Sequence, residues 1–258
     1  MKSRVFGMSI ASDQIPKKTP NLNLEIGAVT VDSMRVFAVM PAFREVSRVR
    51  AAVQGCLPFV ERVLVVDDGS HDGTAEEAKQ AGALVISHSI NRGQGAALKT
   101  GTIAAIKLGA DVIVHIDADG QHDPSFIPEL VRPLQSGEAE IVFGSRFMGM
   151  KPYGMPVRRR LLLVAARIFN TFILGIPSTV SDPQTGLRAF PAATARELNF
   201  HQDGMAHCSE ILRIATHRFR WKEVPIRVSY SRETLAKGQH RGGSWGVVWQ
   251  LLVGAFRK

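Results

Sequence analysis

The chain has 258 residues and 45% apolar composition, enough to bury one sizeable α/β core and too little for a second full domain. The charge is uneven: residues 1–150 carry 15 Lys and Arg against 17 Asp and Glu, and residues 151–258 carry 17 against 6, which indicates an anionic partner for the C-terminal half. The chain has two cysteines, Cys56 and Cys208, which excludes a disulfide framework and indicates a reducing compartment.

The first 34 residues predict a flexible extension. They are rich in Pro, Asn, Lys and Thr, and they lack the apolar run of a secretory signal. We expect one folded domain over residues 35–232, followed by a basic loop and an amphipathic segment over residues 233–258.

From residue 35 onward, apolar strands alternate with helices. Strands are predicted at 35–40, 61–66, 83–88, 111–116 and 140–145, and helices at about 44–56, 72–81, 93–108 and 124–135. This alternation predicts an α/β fold with a mostly parallel sheet flanked by helices. Ligands bind such sheets outside the carboxyl ends of the strands. Polar clusters follow the first four strands, at residues 41–45, 67–74, 91–101 and 117–124.

The cluster DADGQHDP at 117–124 predicts a cation site. Asp117 and Asp119 can turn toward one point at the end of a buried strand, where carboxylate oxygens suit Mg²⁺ or Mn²⁺. The spacing excludes an EF-hand. Asp123, before a proline, is predicted to cap the next helix, and His122 is predicted to be a flanking group.

Two other clusters are more ambiguous. In DDGSHDGT, Asp67 and Asp68 repel each other unless a donor such as a nucleotide base or ribose approaches, whereas Ser70 and Asp72 suit a turn and a helix start. The segment NRGQGAALKTG at 91–101 lacks the complete phosphate-loop pattern. It predicts a tight turn from strand to helix, with Arg92 and Lys99 as candidate phosphate contacts.

Six motifs in this order resemble the family 2 glycosyltransferases: PAFRE, VVDDGSHDGT, NRGQGAALKTG, DADGQHDP, GSRF at 144–147 and SDPQTGLRAF at 181–190. The similarity spans about residues 35–232. It is greatest to the branch of dolichol-phosphate mannose synthase and bacterial polyprenyl-phosphate glycosyltransferases. The resemblance implies a GT-A type fold, a donor such as GDP-mannose or UDP-glucose, a polyprenyl-phosphate acceptor, Mg²⁺ or Mn²⁺, and inversion at the anomeric carbon.

The resemblance also implies roles for individual residues. The catalytic set is Asp119, Asp182 and Arg146, and the metal set is Asp117, Asp119 and Gln121. The residues implied to bind the nucleotide sugar are Pro41, Phe43, Glu45, Asp67, Asp68, Asp117, Ala118 and Asp119. Those implied to bind diphosphate or the acceptor phosphate are Arg146, Arg160, Arg188, Arg232, Lys237 and Arg241. Arg44 and Gln94 depart from the family pattern, since relatives often have an amide and a lysine there.

Two segments suit a membrane surface. Residues 157–176 begin with three arginines and continue as an apolar helical run, which predicts either a helix at the membrane interface or a buried core helix. The segment from Trp245 repeats the pattern, and both are too short to span a bilayer. We therefore expect peripheral attachment to the inner face of the cytoplasmic membrane.

Other functions remain open at this stage. They are a soluble family 2 transferase with a saccharide or small-molecule acceptor, a catalytically silent sugar-nucleotide sensor, and a nucleic-acid binder. The last is disfavoured because no nucleic-acid-binding motif is present. The segment HRFRW at 217–221 matches only the end of the QxxRW motif of processive synthases, so chain elongation is also disfavoured.

Overall fold

The computed structural model describes residues 34–148 and 171–228. The predicted N-terminal extension, all but its last residue, therefore lies outside the described residues. So do most of the predicted interface helix and the basic C-terminal segment. Residues 171–174, at the end of that predicted helix, are helical.

Besides the helical residues 171–174, the described structure contains seven strands and six α-helices. The strands are β1 (Val36–Ala42), β2 (Arg62–Asp67), β3 (Leu84–Ser87), β4 (Val112–His115), β5 (Ile141–Ser145), β6 (Arg188–Pro191) and β7 (Trp221–Pro225). The helices are α1 (Val49–Cys56), α2 (Thr74–Gln80), α3 (Gln94–Lys107), α4 (Ile127–Gln135), α5 (Ala192–Glu197) and α6 (His207–Arg218), with short 3₁₀ turns at Leu57–Phe59 and Pro124–Phe126. The five predicted strands and four predicted helices are confirmed, with small shifts at their ends.

The strands form one sheet in the order β3-β2-β1-β4-β6-β5-β7. All neighbouring pairs are parallel except those of β6, which runs antiparallel between β4 and β5. The short strand β6 was not predicted. Its sequence RAFP contains a proline and a charge, and only pairing with both neighbours makes it a strand.

A crevice forms where the strand order reverses, between β1 and β4. The chain moves outward from β1 to β2 and β3 and then returns to the other side of β1 with β4. The pairing of β1 with β2 continues to Ala42 and Asp67, whereas its pairing with β4 ends at Val39 and His115. The two strands therefore part at their carboxyl ends, which is where ligands bind on open α/β sheets.

The main core lies between the sheet and helices α3 and α6. Glycine lets α3 pack closely there, since a Cβ at Gly101 would lie 2.4 Å from Cγ1 of Val39. Buried side chains of this core come from both layers and include Phe37, Val39, Leu64, Ile113, Phe143, Phe190, Leu98, Ala105, Ile211, Leu212 and Ala215. The rigid layer holds the strand ends in fixed positions.

No helix within the two described ranges is long and apolar enough to cross a membrane.

Candidate active site

The turn after β1 is held by the turn after β2. The N–H of Arg44 donates to Oγ of Ser70 at 2.9 Å, and the N–H of Glu45 donates to Oγ1 of Thr74 at 2.9 Å. Arg44 adopts a left-handed backbone with φ of 57°, and these two hydrogen bonds stabilise that uncommon conformation. The predicted turn role of Ser70 is therefore confirmed.

Asp72 also has the predicted role at the start of α2. Its Oδ1 accepts from the N–H of Thr74 at 3.1 Å and from the Thr74 hydroxyl at 2.6 Å. Burial acts to raise the pKa of Asp72, but the hydrogen bonds from Thr74 outweigh it and lower the pKa. These hydrogen bonds hold the carboxylate of Asp72 at the start of α2.

The two carboxylates at the end of β2 differ in their partners. Asp68 accepts hydrogen bonds from Nδ1 of His88 at 2.7 Å, from the N–H of Arg92 at 2.9 Å and from the N–H of Gly93 at 2.7 Å. Within the described part of the chain, the carboxylate of Asp67 accepts one hydrogen bond, from the N–H of Ser70 at 3.3 Å. Asp68 is therefore engaged with the protein, and Asp67 is the carboxylate of this pair with acceptor capacity for a ligand.

The glycine-rich segment before α3 forms a tight turn. The carbonyl of Asp203 accepts from the N–H groups of Gly95 at 2.7 Å and Ala96 at 3.2 Å, which occupies the start of the helix. A Cβ at Gly95 would lie 2.0 Å from the carbonyl oxygen of Gln202, so only glycine allows the two segments to cross. This agrees with the predicted strand-to-helix turn, because these amides are already bonded within the protein.

The carboxylate of Asp117, just after β4, is closely surrounded. Nε2 of Gln94 donates to its Oδ1 at 2.7 Å, and Nε2 of His122 lies 3.7 Å from its Oδ2. A Cβ at Gly186 would lie 2.3 Å from the same Oδ2, so the backbone of that glycine closes one side. Burial acts to raise the pKa of Asp117. The interaction with His122 and the charges of Arg188 and His207 outweigh burial and lower the pKa overall.

Asp119 has fewer donors. Its Oδ1 accepts from the N–H of Gln121 at 3.0 Å. Burial, the negative charge of Asp117 and the more distant charge of Glu45 raise the pKa of Asp119. The two aspartates follow β4 and lie at the crevice, whereas Glu45 follows β1, is buried and forms an ion pair with Arg48. Ala118, between the two aspartates, is buried.

This acidic group suits a divalent cation. In residues 34–148 and 171–228, no cluster of three or more His, Cys, Asp and Glu side chains is arranged to hold a metal ion. Burial and the charge of Asp117 disfavour the ionised form of Asp119 and raise its pKa, so a cation beside it would favour the carboxylate. Such a pair fits Mg²⁺ or Mn²⁺, which take few protein ligands and complete their shells with phosphate oxygens and water.

Asp182 holds Arg146 at the end of β5. Oδ2 of Asp182 accepts from Nε of Arg146 at 2.6 Å and from its backbone N–H at 3.1 Å, and the arginine also donates to the carbonyl of Gln184 at 3.0 Å. Glu223 on β7 accepts from the N–H of Asp182 at 3.0 Å. Asp182 is fully buried and orients Arg146 in this structure, so its predicted catalytic role stays a prediction.

The structure does not agree with the prediction that Arg188 binds phosphate. Arg188 lies on β6 with 1% of its surface exposed, and its Nε donates to Nδ1 of His115 at 3.1 Å. Because arginine only donates, Nε2 of His115 carries the proton and donates to Oγ1 of Thr102 at 2.8 Å. Burial, followed by the charges of Arg188 and His207, holds the pKa of His115 well below its ordinary value. The buried positive charge of Arg188 therefore helps to lower the pKa of Asp117.

The remaining predicted residues fall into two groups. Pro41 is buried within β1, Phe43 is half-buried at its end, and Gln121 is half-buried beside Asp119. Four predicted basic residues lie outside the described residues: Arg160, Arg232, Lys237 and Arg241. In HRFRW, Trp221 is the first residue of β7. It therefore lies at the amino end of the parallel strands, away from the crevice.

Sequence reasoning missed four residues that shape the site: Gln94, Gly186, Thr74 and Glu223. The departure of Gln94 from the family pattern was the one available signal. Thr74 and Glu223 accept from backbone N–H groups of distant segments, and the backbone of Gly186 packs against the carboxylate of Asp117. No local pattern encodes such contacts.

Comparison with known proteins identifies the family of the chain. Residues 37–180 match the model of the family Glycosyl transferase family 2. A UDP-N-acetylglucosamine–dolichyl-phosphate N-acetylglucosaminyltransferase of Methanococcus voltae is 31% identical over 84% of this chain and 95% of its own length. An undecaprenyl-phosphate mannosyltransferase of Micrococcus luteus is 27% identical over 87% of this chain and 93% of its own.

The fold also matches solved structures. The glucosyl-3-phosphoglycerate synthase of Mycobacterium tuberculosis, solved with Mn²⁺, UDP and glucosyl-3-phosphoglycerate, superposes with a TM-score of 0.68 at 23% identity over 85% of this chain and 79% of that chain. This likeness supports the GT-A type fold that the motifs imply. With the family match over more than half of its length, the chain belongs to glycosyl transferase family 2.

Proposed function

We propose that this enzyme transfers one hexose, of the mannose or glucose type, from a GDP- or UDP-sugar to a polyprenyl phosphate, with inversion and with Mg²⁺ or Mn²⁺. The observation that carries the proposal is the acidic pair Asp117 and Asp119 directly after β4, beside the crevice between β1 and β4, where burial and the charge of Asp117 raise the pKa of Asp119. Two relatives that this chain matches over most of their length have names specifying polyprenyl-phosphate acceptors.

Each carboxylate of the crevice has a distinct task in this proposal. Asp119, with one backbone donor, is the principal cation ligand, and Asp117 supports it from a position held by Gln94. Asp67 accepts from the base or ribose of the nucleotide. Asp68 instead holds the neighbouring loop by accepting from the N–H groups of Arg92 and Gly93, so the proposal assigns the nucleotide contact to Asp67.

The leaving group explains why a cation belongs here. A bound Mg²⁺ or Mn²⁺ would offset the negative charge that grows on the diphosphate as the glycosidic bond breaks. The loss of one such electrostatic partner typically costs about 3 kcal/mol, or roughly 10²-fold in rate. Arg146, oriented by Asp182, supplies a fixed positive charge after a parallel strand that ends at the same edge of the sheet.

A phosphate acceptor does not require a general base to remove a proton, which is consistent with the buried position of Asp182. The second pKa of a phosphate monoester is about 6, so the acceptor oxygen is already ionised near neutrality. An ionised nucleophile requires positioning more than proton removal. Arg146, buried and held by Asp182, would contribute positive charge at this edge of the sheet.

A membrane surface is the proposed location of the acceptor, at the inner face of the cytoplasmic membrane. Phe172 is 81% exposed and Ile173 is 53% exposed, side by side. Next to them a groove is lined by Leu174 and by the basic side chains of α6, including Arg213 and Arg218. Exposed apolar groups beside arginines suit the boundary between anionic headgroups and acyl chains.

Transfer assays test the reaction. Purified protein with Mn²⁺ is given GDP-mannose, UDP-glucose or UDP-N-acetylglucosamine, with undecaprenyl phosphate in detergent or with 3-phosphoglycerate as a soluble acceptor. We expect sugar on the lipid phosphate, an inverted anomeric configuration by NMR, and loss of transfer with chelator. Transfer to the soluble acceptor alone would favour the soluble-transferase alternative, and nucleotide binding without any transfer would favour a sensor.

Liposome flotation tests the membrane contact. Substitution of Phe172 and Ile173 by serine should reduce flotation with vesicles that contain anionic lipid. Ile103→Ser is the control, because Ile103 is 46% exposed on α3 and does not line that groove. Equal flotation of the double variant and the control would contradict this part of the proposal.

A further inference from the structure

We infer that Gln94 is a positioning residue for the sugar-nucleotide site, because it fixes the carboxylate of Asp117 in the orientation that the cation and donor require. The inference rests on the proposed function and adds a residue that the motifs did not assign. Gln94 is the first residue of α3, and its side chain reaches from the end of β3 to the end of β4.

The backbone on both sides of Gln94 is anchored by the protein. Asp68 accepts from the N–H groups of Arg92 and Gly93 on one side. The carbonyl of Asp203 accepts from the N–H of Gly95 on the other. With its neighbours held from two directions, Gln94 has little freedom to place its side chain elsewhere.

The Asp203 anchor is itself braced. The carboxylate of Glu210 on α6 accepts from the N–H groups of His201, at 2.9 Å and 3.0 Å, and of Gln202, at 2.8 Å. The loop that carries Asp203 is therefore fixed to α6. The position of Gln94 thus depends on packing that lies outside the crevice.

The carboxylate of Asp117 has one fitting orientation. The Gln94 amide holds Oδ1 at 2.7 Å, while the backbone of Gly186 and the ring of His122 limit Oδ2. Each carboxylate oxygen has two lone pairs, so the amide leaves acceptor capacity on Asp117. The donor at position 94 therefore fixes the orientation of Asp117 and leaves it able to accept from a ligand.

A double-mutant cycle tests this role. Gln94→Met keeps a similar length without the donor, and it is compared with the parent, with Asp117→Ala and with the double variant. Binding of UDP and GDP in excess Mn²⁺ is measured by titration calorimetry, and thermal unfolding checks the fold. We expect Gln94→Met to weaken binding about tenfold in the parent, in line with a lost hydrogen bond to a charged group, and less than about twofold beside Asp117→Ala.

Rescue gives a second readout. Gln94→Lys restores a donor to the same oxygen, so its nucleotide affinity should recover to within about threefold of the parent. Gln80→Met is the matched control, since the Gln80 side chain accepts from Arg50 on the exposed surface of α2, and we expect it to have no effect. If Asp117→Ala binds too weakly to titrate, the rescue decides the result.

The outcomes separate this inference from the proposed function. Equal losses in both backgrounds, an unaffected Gln94→Met variant, or no recovery in Gln94→Lys would overturn the role of Gln94 while leaving the transferase intact. A parent that binds neither UDP nor GDP with Mn²⁺ would overturn both.

Discussion

Asp68 at the end of β2 and Asp119 after β4 are both acidic residues at the carboxyl ends of strands, but their electrostatic environments are opposite. Asp68 is surrounded by three donors from the protein, one from His88 and two from backbone N–H groups. Among the described residues, Asp119 accepts from a single backbone N–H, and burial, the charge of Asp117 and the more distant charge of Glu45 raise its pKa. The number of donors therefore distinguishes Asp68, which holds a loop, from Asp119, the proposed principal cation ligand.

The difference in donors also predicts that Asp68 contributes mainly to stability and Asp119 mainly to function. A buried carboxylate with its donors in place stabilises the loops that it joins. A carboxylate that lacks donors has little stabilising effect in the free protein, and it gains its partner only when a cation binds. Each prediction below changes one member of these pairs.

The largest effect is expected from Asp119→Asn. The amide keeps the shape of the side chain but removes the negative charge, so sugar transfer should fall about 100-fold or more. Initial rates at saturating donor measure this loss. Thermal unfolding should show no loss of stability in the absence of metal, because like-charge repulsion is relieved. A variant with nearly parental rates would contradict the assignment of Asp119.

A smaller effect, on stability, is expected from Asp68→Asn. The amide brings N–H donors against three existing donors, which should lower the free energy of unfolding by about 2 to 3 kcal/mol. Urea unfolding measures the change. Asp67→Asn is the control, with an expected loss below about 1 kcal/mol and weaker nucleotide binding. Equal destabilisation by both substitutions would erase the distinction within this pair.

The smallest effect concerns pH. A raised pKa in the folded state means that the folded protein binds the proton of Asp119 more tightly than the unfolded chain does. Its stabilising contribution is present below the ordinary pKa of 3.8 and is lost as pH rises through the raised value. In chelator, the Asp119→Asn variant should therefore gain stability relative to the parent as pH rises toward neutrality. A constant difference in unfolding free energy across this range would contradict the environment assigned to Asp119.

Several features were predictable because they depend on local pattern. The runs of valine, isoleucine and leucine before each polar cluster identified five strands and the edge at which their ends meet. Asp117 and Asp119 were recognisable because they directly follow one such run. Strand β6 was missed, because RAFP has no strand pattern apart from its neighbours.

The sequence by itself determined the family, the parallel α/β layout and the edge of the sheet that carries the site, since apolar periodicity and polar strand ends are local properties of the chain. Only the tertiary structure decided that Asp68 holds a loop, that Arg188 is buried against His115, and that Gln94 reaches Asp117. The physical reason is that the role of a polar side chain depends on which donors and acceptors surround it. Those partners come from segments distant in sequence, which only the folded sheet brings together.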